Sequence, residues 1–386
     1  MRGTGTDGPI LNDNGSHYIG RGPVVTHRSA RPTAVRRLGA LTAALVLAGG
    51  ALTACSSDGS GSGDAGSDGL RIVASTTVYG DIAEQVAGPD VTVESVISDP
   101  TADPHSYEAS PADAATVSNA DLVVYNGAGY DSFVDRALEN AGDVPVVRAV
   151  DEFERVTSTT VEAHDHGDHD HGEDGHDHGD EGHDHEADAH DHGEDDHGHD
   201  HGSGATTNEH VWFHLPTAAA VAERVAEELA ELDSDNAGTY RENAAAFGEG
   251  IAKLEEKVDG VHDRGHFSYA QTEPIGAHLF EMAHMADKTP HGFLAAIEDD
   301  SDPSAADLTA TLDLLREKEV DFLAFNTQTE TSVTARVRDA ARDADVPVIE
   351  LTETLPDGED YLGWMTGIVD DLVETLSQAE PADGGH

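Results

Sequence analysis

From Leu70 onward the chain alternates short, nearly unbroken apolar runs with segments whose apolar residues recur every three or four positions. LRIVAS and VTVESVI read as strands, with VYGDIAEQVAG between them as a helix. PADAATVSNA predicts a helix with proline in its first turn, DLVVYNG a buried strand, DSFVDRALENAG a helix closed by Gly142, and VPVVRAV another strand. After a long polar tract, a helix is predicted to begin near Pro216. Between Asp235 and Arg264 the apolar residues fall at Tyr240, Ala244, Phe247, Ile251, Leu254, Val258 and Val261, in alternating steps of four and three. That is one continuous helical stripe, roughly 40 Å long at about 1.5 Å per residue. It reads as an intramolecular spine, because a dimeric coiled coil of about three heptads with Ala in the seam would be weak. Beyond it, HFSYAQ, DFLAFNT and VPVIELT predict strands. PIGAHLFEMAHMA, Ser304–Glu319, SVTARVRDAARDAD and EDYLGWMTGIVDDLVETLSQ predict helices.

Strands alternating with helices imply an α/β fold with parallel sheets and right-handed crossovers. The pattern divides into two similar α/β lobes, residues 70–234 and 265–386, joined by the long rigid helix 235–264. Such lobes leave a cleft at the carboxyl ends of their strands, where ligands bind. Trp212 and Trp364 are expected core anchors. Asn326 and Thr327, at the end of a strand, are expected to support a ligand in that cleft.

The polar tract changes the picture. Residues 164–201 hold 13 histidines and 16 acids, with no aromatic residue, no Lys or Arg and no aliphatic larger than Ala. The segment 161–207 cannot bury enough apolar surface to offset the entropy of ordering, so it is expected to be a disordered loop in the first lobe. His-Asp-His recurs from His164, His169, His176, His183, His190 and His199. An acidic linker has no use for histidine, whereas neutral imidazole is a ligand for zinc, copper and nickel. Accessory metal contact is therefore expected from His164, His166, His169, His171, His176, His178, His183, His185, His190, His192, His197, His199 and His201.

Charge and cysteine usage narrow the class. The 386 residues carry a formal charge of −56, and the chain after Cys55 keeps 15 basic against 75 acidic side chains, or −60. This argues against nucleic acid and anionic membrane surfaces as partners and favours cations. Cys55 is the single cysteine, so no intrachain disulfide can form. Residues 1–54 end in two arginines, an uncharged apolar run from Leu38 and Leu52-Thr53-Ala54, a secretory signal too short to span a membrane as a helix. Leu-Thr-Ala-Cys resembles a bacterial lipobox, which makes Cys55 the expected lipidated first residue of the mature chain. Residues 55–69 then form a flexible tether. Residues 1–34 are long and polar for such a signal, consistent with an internal translation start or with twin-arginine export.

Two segments carry the candidate chemistry. DPTADPHSYEAS follows a predicted strand and precedes a helix, and NEHVWFHLP also ends in a helix start. DPHSYEASPAD, EHVWFHLP and the long helix together resemble the zinc- and manganese-binding substrate-binding proteins of bacterial ABC importers, the cluster A-I family. The similarity covers residues 70–378, including the His-rich insertion that zinc-importing members often carry. The resemblance implies a metal site in the interlobe cleft, with His105 and His210 as ligands from the two motifs. The Asp of the second motif is replaced here by His214. The third family ligand is usually a histidine after the long helix; aligning the following helix puts Glu273 there, with His278 further along as the alternative. The fourth, an acid after the last strand, maps onto Glu353. His262, His266, His284 and His291 show no usable spacing and read as surface or packing residues.

The resemblance implies an exported, membrane-anchored, monomeric lipoprotein that binds Zn²⁺ and hands it to an importer permease and its ATPase. Two His and two Glu resemble the manganese branch in ligand count, while the His-rich loop resembles the zinc branch. Mn²⁺ is therefore the alternative cargo, and a His-rich zinc store or adhesion protein is the rival class. An enzyme is disfavoured, since no HExxH or comparable helix pair occurs and a zinc hydrolase needs an open coordination position.

Overall fold

The computed structural model describes residues 69–139, 141–161, 208–299, 301–377 and 379, together with the backbone of 205–206. Cys55, the leader before it, the tether up to residue 68 and the thirteen histidines of the tract lie outside the described residues.

The first lobe runs β1 (Arg71–Thr76), α1 (Thr77–Ala87), β2 (Thr92–Ile97), α2 (Pro111–Ser118), β3 (Leu122–Tyr125), α3 (Ser132–Leu138), β4 (Val146–Arg148) and α4 (Ala149–Thr157). A short parallel pair, β5 (Thr160–Val161) and β6 (Ala205–Thr206), flanks the His-rich tract before α5 (Leu215–Leu232) and α6 (Ala237–His262). The second lobe holds β7 (Ser268–Gln271), α7 (Ala277–Met282), β8 (Ala286–Asp287), α8 (His291–Glu298), α9 (Ala305–Arg316), β9 (Phe322–Asn326), α10 (Ser332–Asp343), β10 (Val348–Leu351) and α11 (Tyr361–Ser377). Both main sheets are parallel, in the orders β2-β1-β3-β4 and β10-β9-β7-β8.

These orders describe one topology used twice. In each lobe the first strand pairs with the second on one side and the third on the other. The chain therefore reverses its winding between β1 and β3, and again between β7 and β9. Loops leaving the carboxyl ends diverge at such a switch point and open a crevice.

The seven apolar residues of the α6 stripe are all buried. They pack in one core with α1, α5 and α11, and with Tyr361, Trp364 and Trp212. Helix α11 braces α6 by polar contacts as well. Lys257 Nζ lies 2.6 Å from Asp370 Oδ1, and an Arg264 NH donates to the Leu376 carbonyl at 2.7 Å. The lobes are also tied near the crevice, where the Tyr361 N–H donates to Asp81 at 2.8 Å and the Leu355 N–H to the Thr77 hydroxyl at 3.0 Å.

Three local expectations need correction. VPVVRAV was expected as strand throughout, but Ala149 begins α4, an amphipathic helix that buries Val150 and Phe153. PIGAHLFEMAHMA is not one helix: Pro274–Gly276 forms a 3-10 turn and α7 stops at Met282. Helix α8 and the two-residue β8 carried too little periodicity to be predicted.

Candidate metal centre

Four side chains converge in the crevice. His105 lies in the loop after β2, Glu273 two residues after β7, and Glu353 two residues after β10. His210 precedes the 3-10 turn that leads into α5. One ligand atom from each lies within 4.8 Å of every other. His105 Nε2 is 3.4 Å from Glu353 Oε2 and 3.6 Å from Glu273 Oε1, and His210 Nε2 is 3.8 Å from Glu273 Oε1. Tetrahedral donors at about 2.0–2.2 Å from zinc stand roughly 3.3–3.6 Å apart. These three separations exceed that spacing by at most about half an ångström, while the widest donor pair, at up to 4.8 Å, would close by about an ångström more to hold one ion.

The local sequence explains why each group points inward. In the DPTADPH loop Asp99 accepts the Thr101 N–H and Asp103 the His105 N–H, both at 2.9 Å, successive turns of the kind Asp side chains stabilise. Gln328 of the second lobe clamps the loop by donating to the Pro100 and Ala102 carbonyls at 3.2 and 2.9 Å. His210 is fixed more tightly. The Asn208 amide nitrogen donates to the Pro274 carbonyl at 2.9 Å, which makes its oxygen an acceptor. That oxygen takes the His210 backbone N–H at 3.0 Å and faces Nδ1 at 2.8 Å. The proton therefore sits on Nδ1, and Nε2, buried and without a hydrogen-bond partner, presents its lone pair to the crevice. Glu273 is extended (φ −157°, ψ 150°), as residues before proline prefer.

Asn326 connects the two carboxylates. Its amide nitrogen donates to Glu273 Oε2 at 2.6 Å and to Glu353 Oε1 at 2.7 Å, leaving Glu273 Oε1 and Glu353 Oε2 to face His105. The Thr329 hydroxyl donates to Glu273 Oε2 at 2.5 Å and the Tyr130 hydroxyl to Glu353 Oε2 at 3.1 Å. On its other side His105 Nδ1 lies 3.7 Å from Glu209 Oε1, beyond hydrogen-bond length but close enough for that carboxylate to favour the charged imidazole.

Electrostatics follow from this crowding. Burial opposes charge on His105, but Glu353, Glu273 and Glu209 outweigh it and raise its pKa to about 10. Burial takes His210 down to about 4, so it is neutral and ready to donate. Burial and the neighbouring Glu353 push Glu273 up, whereas Glu353, although buried, is held low by His105. The charges on His105 and on Glu353 thus support each other, while burial and Glu353 favour the protonated form of Glu273. Above it lies a cavity of about 280 Å³, lined also by Asp103, Glu298 and Asp302.

His214 and His278 do not join the cluster. The 3-10 turn carries His214 away from His210, to Thr217 Oγ1 at 2.8 Å and against Phe153. His278 is buried, with Nε2 3.1 Å from the Asn208 carbonyl, behind the loop that carries His210. Of the expected supporting pair, Asn326 reaches the carboxylates while the Thr327 hydroxyl donates to the Leu351 carbonyl. Glu209, Tyr130 and Thr329 were missed. Adjacency to His210 was the only available signal for Glu209, and the other two are brought in by tertiary folding alone.

A model of the zinc-uptake complex component A periplasmic family (ZnuA) matches residues 72–375. The chain belongs to that family. Among curated relatives, the manganese ABC transporter substrate-binding lipoprotein scaA of Streptococcus gordonii is 25% identical over 346 residues, covering 86% of this chain and 97% of the relative. The zinc-binding lipoprotein AdcA of Streptococcus pneumoniae strain R6 is also 25% identical, over 336 residues that cover 86% of this chain and 60% of AdcA. Among solved structures, the laminin binding protein (Lmb) of Streptococcus agalactiae superposes with a TM-score of 0.57 at 18% identity, covering 80% of this chain and all of that one. That likeness confirms the two-lobed α/β fold.

Proposed function

We propose that this protein is the extracytoplasmic substrate-binding component of an ABC-type metal importer, and that His105, His210, Glu273 and Glu353 hold its cargo, Zn²⁺. The observation that carries the proposal is the convergence of four donor atoms within 4.8 Å of one another, from strand ends and connecting segments of both lobes. Four protein donors close a tetrahedral site and leave no position for a reactive water, which suits carriage better than hydrolysis. Binding substitutes the cation for protons: His105 gives up its own, Glu273 gives up its own, and neutral His210 supplies a lone pair at once. Asn326 keeps both carboxylates aimed while this happens. Helix α6, packed along both lobes, limits their relative motion, so release to the permease and its ATPase would come from small shifts at the crevice rather than wide opening.

The same reading has Cys55 as a lipid anchor and the chain as a monomer at the outer face of the membrane. The His-rich tract would raise local zinc concentration or act as a reservoir. Manganese is the second reading, supported by the two carboxylates, since oxygen donors suit it better than imidazole does, and by the family's manganese-binding relatives. A competition titration of Zn²⁺ against Mn²⁺ on the chain lacking residues 163–204 tests the proposal. One tight zinc site, lost in His105→Ala, supports it; a manganese preference transfers the cargo to the second reading; no tight site overturns both.

A further inference from the structure

Away from the crevice, two histidines meet whose spacing along the chain offers no reason to pair them. His262 is the last residue of α6, and His284 lies in the turn after α7. Their ring centroids are 4.2 Å apart and their planes are inclined by 37°. Both residues are exposed.

Each ring starts from a fixed backbone. His262 belongs to the final turn of the long helix. His284 adopts the left-handed conformation, φ 55°, in a turn closed by its own N–H to the Glu281 carbonyl at 2.9 Å and by the Met285 N–H to the Phe280 carbonyl at 3.0 Å. Met285 is buried immediately after it, so the turn is anchored to the core. A residue other than glycine in this region is uncommon, and here the geometry brings one imidazole over another.

The spacing has a chemical meaning. A metal about 2.0–2.1 Å from a ring nitrogen lies roughly 3.2 Å from that ring's centroid. Two imidazoles on adjacent positions of a square or octahedral ion, about 90° apart, then have centroids about 4.5 Å apart, and on opposite positions about 6.4 Å. The observed 4.2 Å corresponds to the adjacent arrangement. We propose that His262 and His284 form a two-histidine clip for a divalent cation of the nickel and copper class, which accepts imidazoles on adjacent positions, separate from the crevice. An ion there would tie the end of α6 to the second lobe. With two protein donors and water for the rest, the clip is far weaker than a four-donor site, so it fills only when such cations are abundant.

Because the His-rich tract is itself expected to bind cations, the test must resolve single residues in the full chain. Histidine labelling with diethyl pyrocarbonate, read by mass spectrometry on separate peptides across a Ni²⁺ titration at pH 7.5, does this. The expected result is that His262 and His284 lose labelling together, at one nickel concentration, by at least fivefold. In His262→Ala the nickel midpoint for protecting His284 should move up at least tenfold, and the reciprocal variant His284→Ala should do the same to His262. Both residues are exposed, so the variants should fold, which circular dichroism would verify. Protection of His284 at an unchanged midpoint in His262→Ala, or no protection of either residue before nickel saturates the chain, would overturn the proposal.

Discussion

Metal capture by the crevice should depend on pH in a way an ordinary two-histidine site would not. The perturbation is a shift from pH 6 to pH 8, and the relevant groups are the four donors. In the metal-free centre His105 holds its proton up to about pH 10, and Glu273 holds one to about pH 8, the direction set by burial and by Glu353. His210, at about 4, and Glu353, held low by His105, are already deprotonated. Binding below pH 8 therefore releases two protons, and the logarithm of the apparent affinity should rise by close to two per pH unit. Between pH 6.5 and 7.5 that is roughly a hundredfold tightening, about 2.7 kcal/mol. Above pH 8 the slope should fall towards one, and above pH 10 towards zero. Two unperturbed histidines with pKa about 6.5 would give only a few-fold gain over the same unit and almost none above pH 7.5. The assay is competition against a chromophoric zinc chelator of known protonation, on the chain lacking residues 163–204, with proton release checked by calorimetry in buffers of different ionisation heat. A flat affinity between pH 7 and 8 would refute the account of a proton-filled centre.

Further outcomes follow from the same geometry. Replacing Asn326 by Leu removes the amide that aims both carboxylates, and should cost about 10- to 100-fold in zinc affinity, read in the same competition assay. Glu209→Gln takes away the charge beside His105 Nδ1; affinity should fall by about tenfold and the pH at which His105 titrates, followed by NMR, should drop. An unchanged His105 titration would show that Glu209 does not act through that ring. In the spine, Phe247→Ala empties a fully packed position of α6 and should destabilise the fold by about 3–5 kcal/mol in denaturant unfolding, while a loss below about 1 kcal/mol would mean that α6 is not the element joining the lobes.

Much of the architecture was legible because its signals are local. The stripe from Tyr240 to Val261 needs only a 3.6-residue period, and strands such as DFLAFNT are buried on both faces and so read as apolar runs. The short pieces were not legible: α4 follows β4 without a break, and β8 is two residues held by its pairing with β7. At the crevice, His105 and His210 stood in recognisable segments, and Glu273 and Glu353 followed strand ends. What surrounds them depends on contacts between remote parts of the chain. Asn326 bridges Glu273 and Glu353, Tyr130 reaches across lobes to Glu353, and Asn208 reads as a loop residue until its amide is seen anchored on Pro274. His278 illustrates the converse. Its position on a helix past Glu273 made it a candidate ligand, but the 3-10 turn at Pro274–Gly276 rotates α7 so that it supports the loop from behind.

The most direct test of the proposed centre is X-ray absorption at the zinc edge on the full chain loaded with one equivalent of Zn²⁺. Four nitrogen or oxygen donors at about 2.0–2.1 Å are expected, with the outer-shell scattering of two imidazoles and the remainder carboxylate. A first shell made of three or four imidazoles would place the ion in the His-rich tract and contradict the assignment of His105, His210, Glu273 and Glu353 as its seat.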